Sequence, residues 1–185
     1  MNKDPAISVI IPVLDEAQGI NNIIAHLRSQ APLDAVEIIV VDGNPAGSTI
    51  KAISHLGIVT AIAERGRGSQ MNCGAIRATG DILLFLHADT LLPSNAFASI
   101  RKCMEITGHA GGAFDLGIDT NKKIFRVTER YVAWRTRLTR IPFGDQAIFI
   151  RREYFDRIGG YRHIPIMEDV DLMRRIRQRG DPICV

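Results

Sequence analysis

No apolar run in the sequence approaches the roughly 20 consecutive residues that a membrane-spanning helix requires, which argues against a helical membrane protein. The first apolar stretch, Ala6 to Leu14, follows Lys3 and Asp4 and ends in Asp15-Glu16 where a signal peptide would carry a small-residue cleavage site. It reads as a first strand. Cysteine is scarce. Cys73, Cys103 and Cys184 are odd in number and share no metal-ligand or redox spacing, which predicts three reduced thiols packed as small core residues in a cytoplasmic protein. Internal repeats, low-complexity linkers and zinc-finger or RNP-type motifs are also missing, so nucleic acid is not an expected partner. Gly43 to Thr49 has neither the lysine nor the spacing of a P-loop, and Arg65 to Met71 lacks the Gly-x-Gly-x-x-Gly pattern, which argues against a kinase or a dehydrogenase.

What is there is an ordinary globular composition. With 185 residues, 46% of them hydrophobic, and a mean hydropathy of +0.05, the chain is long enough for a single domain over 1–185 with a real core. The net charge of +3 is unevenly spread: residues 1–122 carry 9 basic and 12 acidic side chains, residues 123–185 carry 14 and 8. Late-gathered basic charge and a pI near 8.9 favour a phosphate-bearing partner.

Ile7 to Leu14 and Val36 to Val41 are β-branched runs of parallel-sheet character, and Ala17 to Gln30 between them carries Ile20, Ile23, Ile24 and Leu27 on one helical stripe. A glycine-rich loop from Asp42 to Thr49 leads into a helix predicted to reach about Leu56, and Gly57 to Ala63 supplies a third strand. A further helix, Ser69 to Thr79, stops at Gly80. Then comes Ile82-Leu83-Leu84-Phe85-Leu86, five apolar residues bounded by Gly80 and Pro93 that read as a central strand buried on both faces. Such alternation predicts an α/β fold with a mostly parallel, helix-covered sheet.

Asp15, Asp42 and Asp89 each stand at the carboxyl end of a predicted strand, where open α/β sheets bind ligands, so three carboxylates far apart in sequence are expected to converge on one crevice. His87 stands two residues before Asp89. On their own, these two fit a strand cap and the start of a turn as well as they fit a chemical site. Acidic strand ends beside the Arg65-Gly66-Arg67-Gly68 loop suit a nucleotide whose diphosphate is carried by a divalent ion.

Beyond Pro93 a helix runs to about Ile106, and Gly111 to Gly117 reads as a strand whose paired glycines let a ligand or a backbone come close. Lys122 to Arg140 is a basic helix carrying Arg126, Arg130, Arg135, Arg137 and Arg140 among Ile124, Phe125, Tyr131, Trp134 and Leu138. It is either a solvated helix with snorkelling arginines or one able to make peripheral contact with a membrane. Gly144-Asp145-Gln146 opens a short strand, Ala147 to Ile150, a helix runs from Arg151 to Ile158, and a last helix begins around Glu168-Asp169. Asp181 to Val185 reads as a strand just beginning, from which a further carboxyl-terminal segment is expected.

These motifs together resemble a family 2 glycosyltransferase of GT-A fold. Pro12-Val13-Leu14-Asp15-Glu16 resembles the family's first-strand motif, and Val40-Val41-Asp42 with Gly47-Ser48-Thr49 its second. Gly68, Asn72, Gly74 and Ala78-Thr79-Gly80 resemble the helix before the metal motif, and His87-Ala88-Asp89 sits where the family carries Asp-x-Asp. Arg151-Arg152, Gly159-Gly160-Tyr161 and Glu168-Asp169-Val170-Asp171-Leu172 resemble its acceptor-side block. Gly144-Asp145-Gln146 and Met167-Glu168-Asp169 further resemble a small soluble bacterial subgroup, some of whose members are associated with arsenosugar biosynthesis.

The resemblance implies an inverting transfer of a sugar, of hexosyl type, from a nucleotide-diphosphate donor, UDP-linked by first expectation, to a small-molecule acceptor. It implies a donor site of Asp15, Glu16, Asp42, Arg67 and His87, with Asp89 holding Mg²⁺ or Mn²⁺ and Asp169 as general base. Gly144, Asp145, Gln146 and Glu168 would stand on the acceptor side. His87 replaces the first Asp of the metal motif, and the Gln-x-x-Arg-Trp signature of processive members is absent. Two rivals stand beside this reading. A sugar-phosphate nucleotidyltransferase is opposed by the missing glycine-rich, lysine-containing loop near the amino terminus. A nucleotide-sugar binding protein without turnover is opposed by Asp169, since binding alone needs no acceptor-side carboxylate.

Overall fold

The computed structural model describes residues 6–31, 36–106, 108–120, 122 and 124–185. Lys3 and Asp4 lie outside them. Strands β1 (Ile7–Val13), β2 (Val36–Asp42), β3 (Ile58–Ile62), β4 (Ile82–Phe85), β5 (Gly111–Gly112), β6 (Phe149–Arg151) and β7 (Ile183–Cys184) form one sheet in the order β3-β2-β1-β4-β6-β5-β7. β1, β2, β3 and β4 run parallel, whereas β6 is antiparallel to both β4 and β5. The helices are α1 (Ile20–Gln30), α2 (Ser48–Lys51), α3 (Arg67–Arg77), α4 (Ala96–Glu105), α5 (Ile124–Thr139), α6 (Arg152–Arg157) and α7 (Glu168–Gln178).

Every residue of β1 and of β4 is buried, because helices cover both faces of a parallel sheet. The alternation of a strand divides them between two layers. Ile7, Val9, Ile11, Val13, Ile82 and Leu84 pack with Ile20, Ile23, Ile24 and Leu27 of α1 and with Phe97 and Ile100 of α4. Ile10, Leu83 and Phe85 pack on the other face with Met71 and Ala75 of α3, Tyr154 and Phe155 of α6, and Leu172, Met173 and Ile176 of α7. Among the described residues, no helix is long and apolar enough to cross a membrane.

Several elements differ from the sequence expectation. α2 ends at Lys51, well short of Leu56. Asn21 of α1 explains this: its amide donates to Ala52 O (2.7 Å) and its Oδ1 accepts from Ser54 N (2.9 Å), bonds that hold the chain against α1 in place of another helical turn. The expected strand from Gly111 to Gly117 is two residues long. Its glycines admit backbone and core side chains, since a Cβ on Gly112 would stand 2.5 Å from the Phe149 ring and 2.7 Å from Cys184 O. Gly144–Gln146 is a 3₁₀ turn, and the strand expected over Ala147 to Ile150 is β6, which starts at Phe149.

The cysteines also differ. Cys103, at the end of α4, and Cys184, in β7, form a disulfide with Cα atoms 6.4 Å apart, which leaves Cys73 as the free thiol. The expectation of three reduced thiols is corrected by topology: the parallel pairing of β7 with β5 carries Cys184 to α4 from 81 residues away, a proximity that no local spacing encodes.

Candidate active site

β2, β1 and β4 lie side by side and parallel, so their carboxyl ends open on one edge of the sheet. Past Phe85 the chain stays attached to that edge, as Leu86 N donates to Ile10 O (3.0 Å), and then turns, as Thr90 N donates to His87 O (3.1 Å). The turn delivers His87 and Asp89 to a cavity of about 330 Å³ lined also by Pro12 to Leu14, Glu16, Arg65, Gly66, Arg67 and Gln70. Glu16, Arg67, His87 and Asp89, four of the residues singled out in the sequence, therefore share one wall system.

Asp15 and Asp42 occupy the same edge without lining that cavity. Asp42 is fully buried, its Oδ1 accepting from Asn44 N (2.8 Å) and its Oδ2 from Thr49 N (2.9 Å) and Ile50 N (3.4 Å). It serves the free amides at the start of α2, which explains a buried charge in an apolar sheet. Asp15 accepts from Asn44 Nδ2 (2.8 Å) and Ser48 Oγ (3.2 Å). The strands converge as expected, and of the three carboxylates Asp89 is the one that faces the crevice.

His87 is the meeting point of two further cavities. One, of about 630 Å³, lies between Asp89 to Pro93, Phe114 to Asp119, Arg126 and Asp145 to Ala147. The other, of about 390 Å³, is bounded by Arg67, Pro165 to Met167, Glu168 and Asp169. Asp169 sits in the first turn of α7, and the Gly144 backbone N–H donates to its Oδ2. A Cβ on Gly144 would stand 2.8 Å from His87 Nε2 and 3.3 Å from Asp169 Oδ2. A residue without a side chain thus separates the imidazole from the carboxylate.

The supporting contacts explain how residues so distant in sequence meet. Gln146 is buried, its Oε1 accepting from Thr136 Oγ1 (3.1 Å) and Phe143 N (3.1 Å) and its Nε2 donating to Phe114 O (3.0 Å), which pins the Gly144–Gln146 turn to α5 and to the 114–119 segment. On the other side, Asn72 of α3 donates to Tyr161 O (2.8 Å) and accepts from Tyr161 N (2.9 Å), and Arg175 of α7 donates to Ile158 O (2.9 Å). These bonds fix the 158–161 loop between α3 and α7. Asp171 belongs to this frame, paired with Arg175 (2.9 Å) and Arg162 (3.3 Å). Glu168 is buried with its Cβ near Gly68.

The electrostatics are uneven across the site. Burial, and then the positive charge of Arg67, lower the pKa of His87 despite the opposing pull of Asp89, Asp145 and Asp169, so the imidazole is neutral at neutral pH. Burial first, with Asp169 adding to it, raises that of Asp145. Burial, with Asp169 and Glu168 adding, pushes the Tyr161 phenol well above its ordinary value, so it stays protonated.

Sequence reasoning missed Gln70. Its buried amide donates to Val13 O (2.7 Å) and Val41 O (2.8 Å), joining β1 and β2 where their ladder ends, and its side chain forms the crevice floor. A buried glutamine inside an amphipathic helix is the one signal that was available. Phe143 was also missed. Its ring lies 3.7 Å under the Arg135 guanidinium.

Among the described residues, no three His, Cys, Asp or Glu side chains cluster as a protein-made metal cage. The donor set fits a different arrangement. One exposed carboxylate, Asp89, and one neutral imidazole, His87, face a common cavity, and Mg²⁺ or Mn²⁺ commonly takes one or two carboxylates and completes its shell with substrate phosphate oxygens and water.

A mostly parallel, helix-covered sheet with an antiparallel strand beside its centre and a crevice at its carboxyl edge is the GT-A fold. The mannosyltransferase PcManGT from Pyrobaculum calidifontis, solved in complex with GDP-Man and Mn²⁺, superposes with a TM-score of 0.78 at 22% identity over 100% of this chain and 55% of that one. TarS 1–349 of S. aureus in complex with UDP gives 0.66 at 16% identity over 89% of this chain and 52% of that one. The sequence model of glycosyl transferase family 2 matches residues 8–164, and the chain belongs to that family. It is 25% identical over 167 residues to the amylovoran biosynthesis glycosyltransferase AmsE of Erwinia amylovora, 83% of this chain and 62% of that protein. It is 27% identical over 126 residues to an uncharacterized glycosyltransferase of Mycobacterium tuberculosis, 64% of this chain and 47% of that protein. The chain thus spans about half to three-fifths of the length of these relatives.

Proposed function

We propose that residues 1–185 form one catalytic domain that transfers a sugar, with inversion, from a nucleotide-diphosphate donor to a small acceptor. The observation that carries this reading is the placement of Asp169, which meets His87 at Gly144 and lines with it a cavity that Asp89 does not line. The cavity holding Glu16, Arg67 and Asp89 takes the donor, with the Arg67 guanidinium facing its diphosphate. A UDP-sugar is the first candidate and a GDP-sugar the second, since the solved relatives were captured with UDP and with GDP-Man.

Asp89 is the residue to hold Mg²⁺ or Mn²⁺, which when bound offsets the diphosphate charge. Asp169 accepts the proton of the acceptor hydroxyl as that oxygen attacks the anomeric carbon, the bond from that carbon to the diphosphate breaks, and the nucleoside diphosphate leaves. The Gly144 amide occupies part of Oδ2 and the Val170 amide part of Oδ1 (2.7 Å), which orients the carboxylate and leaves each oxygen a further acceptor position. The neutral His87 ring stands between the two halves of the site as a hydrogen-bonding wall. The acceptor lies where the larger cavity, bounded by Phe114, Asp145 and Gln146, meets at His87 the cavity lined by Glu168 and Asp169, with its reacting hydroxyl toward Asp169. The resemblance of Gly144-Asp145-Gln146 and Met167-Glu168-Asp169 to the arsenosugar-associated subgroup is a further reason to try small-molecule acceptors first.

The test is a thermal-shift panel of UDP, GDP and their sugars with and without Mn²⁺, followed by nucleotide release from the stabilising donor. A ligand at 100 times its dissociation constant stabilises by about 2.7 kcal/mol, so one nucleotide is expected to stand out. A flat panel rejects the donor site, and stabilisation without acceptor-dependent release of nucleotide supports a binding protein instead.

A further inference from the structure

Five of the exposed large apolar side chains stand on one helix. Ile124, Val127, Tyr131, Trp134 and Leu138 of α5 are each 61% to 68% exposed, and Thr136 is the one fully buried residue of the helix. They follow one another at steps of three, four, three and four, which on an α-helix places them in a single stripe. Tyr131 and Trp134 are neighbours in it, with ring centroids 6.2 Å apart.

The surroundings of the stripe are basic. Helical spacing sets Arg126, Arg130 and Arg137 along one border, and Arg140 follows the last turn. Asp115 shares the charge of Arg137 (2.7 Å), and Arg126 is tied to Glu129 (2.9 Å). Glu129, the single acid of the helix, is turned toward the protein, where it accepts from Ile118 N (2.6 Å). An apolar stripe with aromatic rings and an arginine border matches a surface that is apolar inside and anionic at its rim. A second copy of this chain offers the opposite of what the border needs, since it would bring the same arginines against it.

We propose that α5 docks on an anionic lipid surface, with Ile124, Val127, Tyr131, Trp134 and Leu138 entering the boundary between headgroups and acyl chains and Arg130 facing the lipid phosphates. Snorkelling arginines and interfacial Tyr and Trp are suited to that depth. The contact is peripheral. It needs neither donor nor acceptor, so it stands or falls separately from the transferase reading.

Trp134 is the only tryptophan of the chain, so its emission reports the stripe directly. The experiment titrates the protein with vesicles of phosphatidylcholine alone and with vesicles rich in phosphatidylglycerol, reading Trp emission and co-sedimentation, in the wild type and in Val127→Gln/Leu138→Gln. These are exposed helix positions at which glutamine keeps the fold, which circular dichroism checks. Expected are a blue shift and sedimentation with the anionic vesicles, weakened by added salt, and a loss of partitioning of tenfold or more on the order of two apolar side chains' transfer in the double variant. The proposal is overturned by an unshifted Trp134 on anionic vesicles or by equal binding of wild type and variant. It is equally overturned by a concentration-dependent dimer that buries Trp134 without lipid, which would give the stripe to a second copy.

Discussion

The backbone N–H of Gly144 donates a hydrogen bond to Oδ2 of Asp169. That bond closes the distance between the 3₁₀ turn after α5 and the first turn of α7, and it leaves room for the His87 ring against the same glycine. An acid that is held by a backbone amide, beside a neutral imidazole and at a helix amino terminus, suits the proposed role of general base.

Asp169→Asn keeps one acceptor oxygen for either the Gly144 amide or the Val170 amide at the start of α7 and loses the other bond, so stability is expected to fall by about 1 kcal/mol while the fold and donor affinity stay close to wild type. Transfer should fall by roughly 10²–10⁴, the range for loss of a general base. Single-turnover transfer and donor titration on the same preparation check it. A variant that transfers within a few-fold of wild type removes Asp169 from the role of base.

Gly144→Ala places a methyl group 2.8 Å from His87 Nε2, closer than real Cβ contacts come, so either the ring or the turn must move. A displacement of about 1 Å between base and donor costs roughly 10²-fold in rate, and the loss is expected in kcat with nucleotide affinity nearly kept. Steady-state kinetics against donor and acceptor separate the two. Unchanged kcat would mean that the His87 ring has another place to go.

Asp89→Asn tests the metal. Wild type should bind UDP more tightly with Mn²⁺ than without it, and the variant should lose most of that enhancement, since a carboxamide is a poor ligand for a hard cation. Isothermal titration with and without Mn²⁺ measures it. Equal enhancement in both proteins places the metal elsewhere.

His87 carries the pH dependence. Its pKa is lowered in the folded chain by burial and by Arg67, so below about 6.5, the ordinary histidine value, the unfolded chain takes up a proton that the folded chain refuses. Stability is therefore lost as pH falls through that value toward the folded pKa. Thermal midpoints between about pH 7.5 and 5 are expected to decline, and His87→Gln should flatten the decline. His87→Ala should also weaken donor binding or turnover. If it leaves both intact, the side chain is structural.

The sequence by itself determined the layered α/β plan, because β-branched runs alternating with helical stripes admit little else, and the carboxyl ends of β1, β2 and β4 then had to share an edge. It also marked Glu16, Arg67, His87 and Asp89, whose positions at strand and helix ends bring them to that edge. Tertiary structure alone decided which way each carboxylate turned. Asp42 goes inward because two backbone amides at the start of α2 and that of Asn44 in the loop before it await an acceptor, and a hydrogen-bond demand created by folding cannot be read from a strand's last residue. The Cys103–Cys184 bond depends on β7 pairing with β5. The turn residues Asp15, Ala147 and Met167 take positive φ values of 59°, 49° and 64° without being glycine. Local preference rarely chooses those backbone conformations, and they turn the chain after β1, after the Gly144–Gln146 turn and before α7.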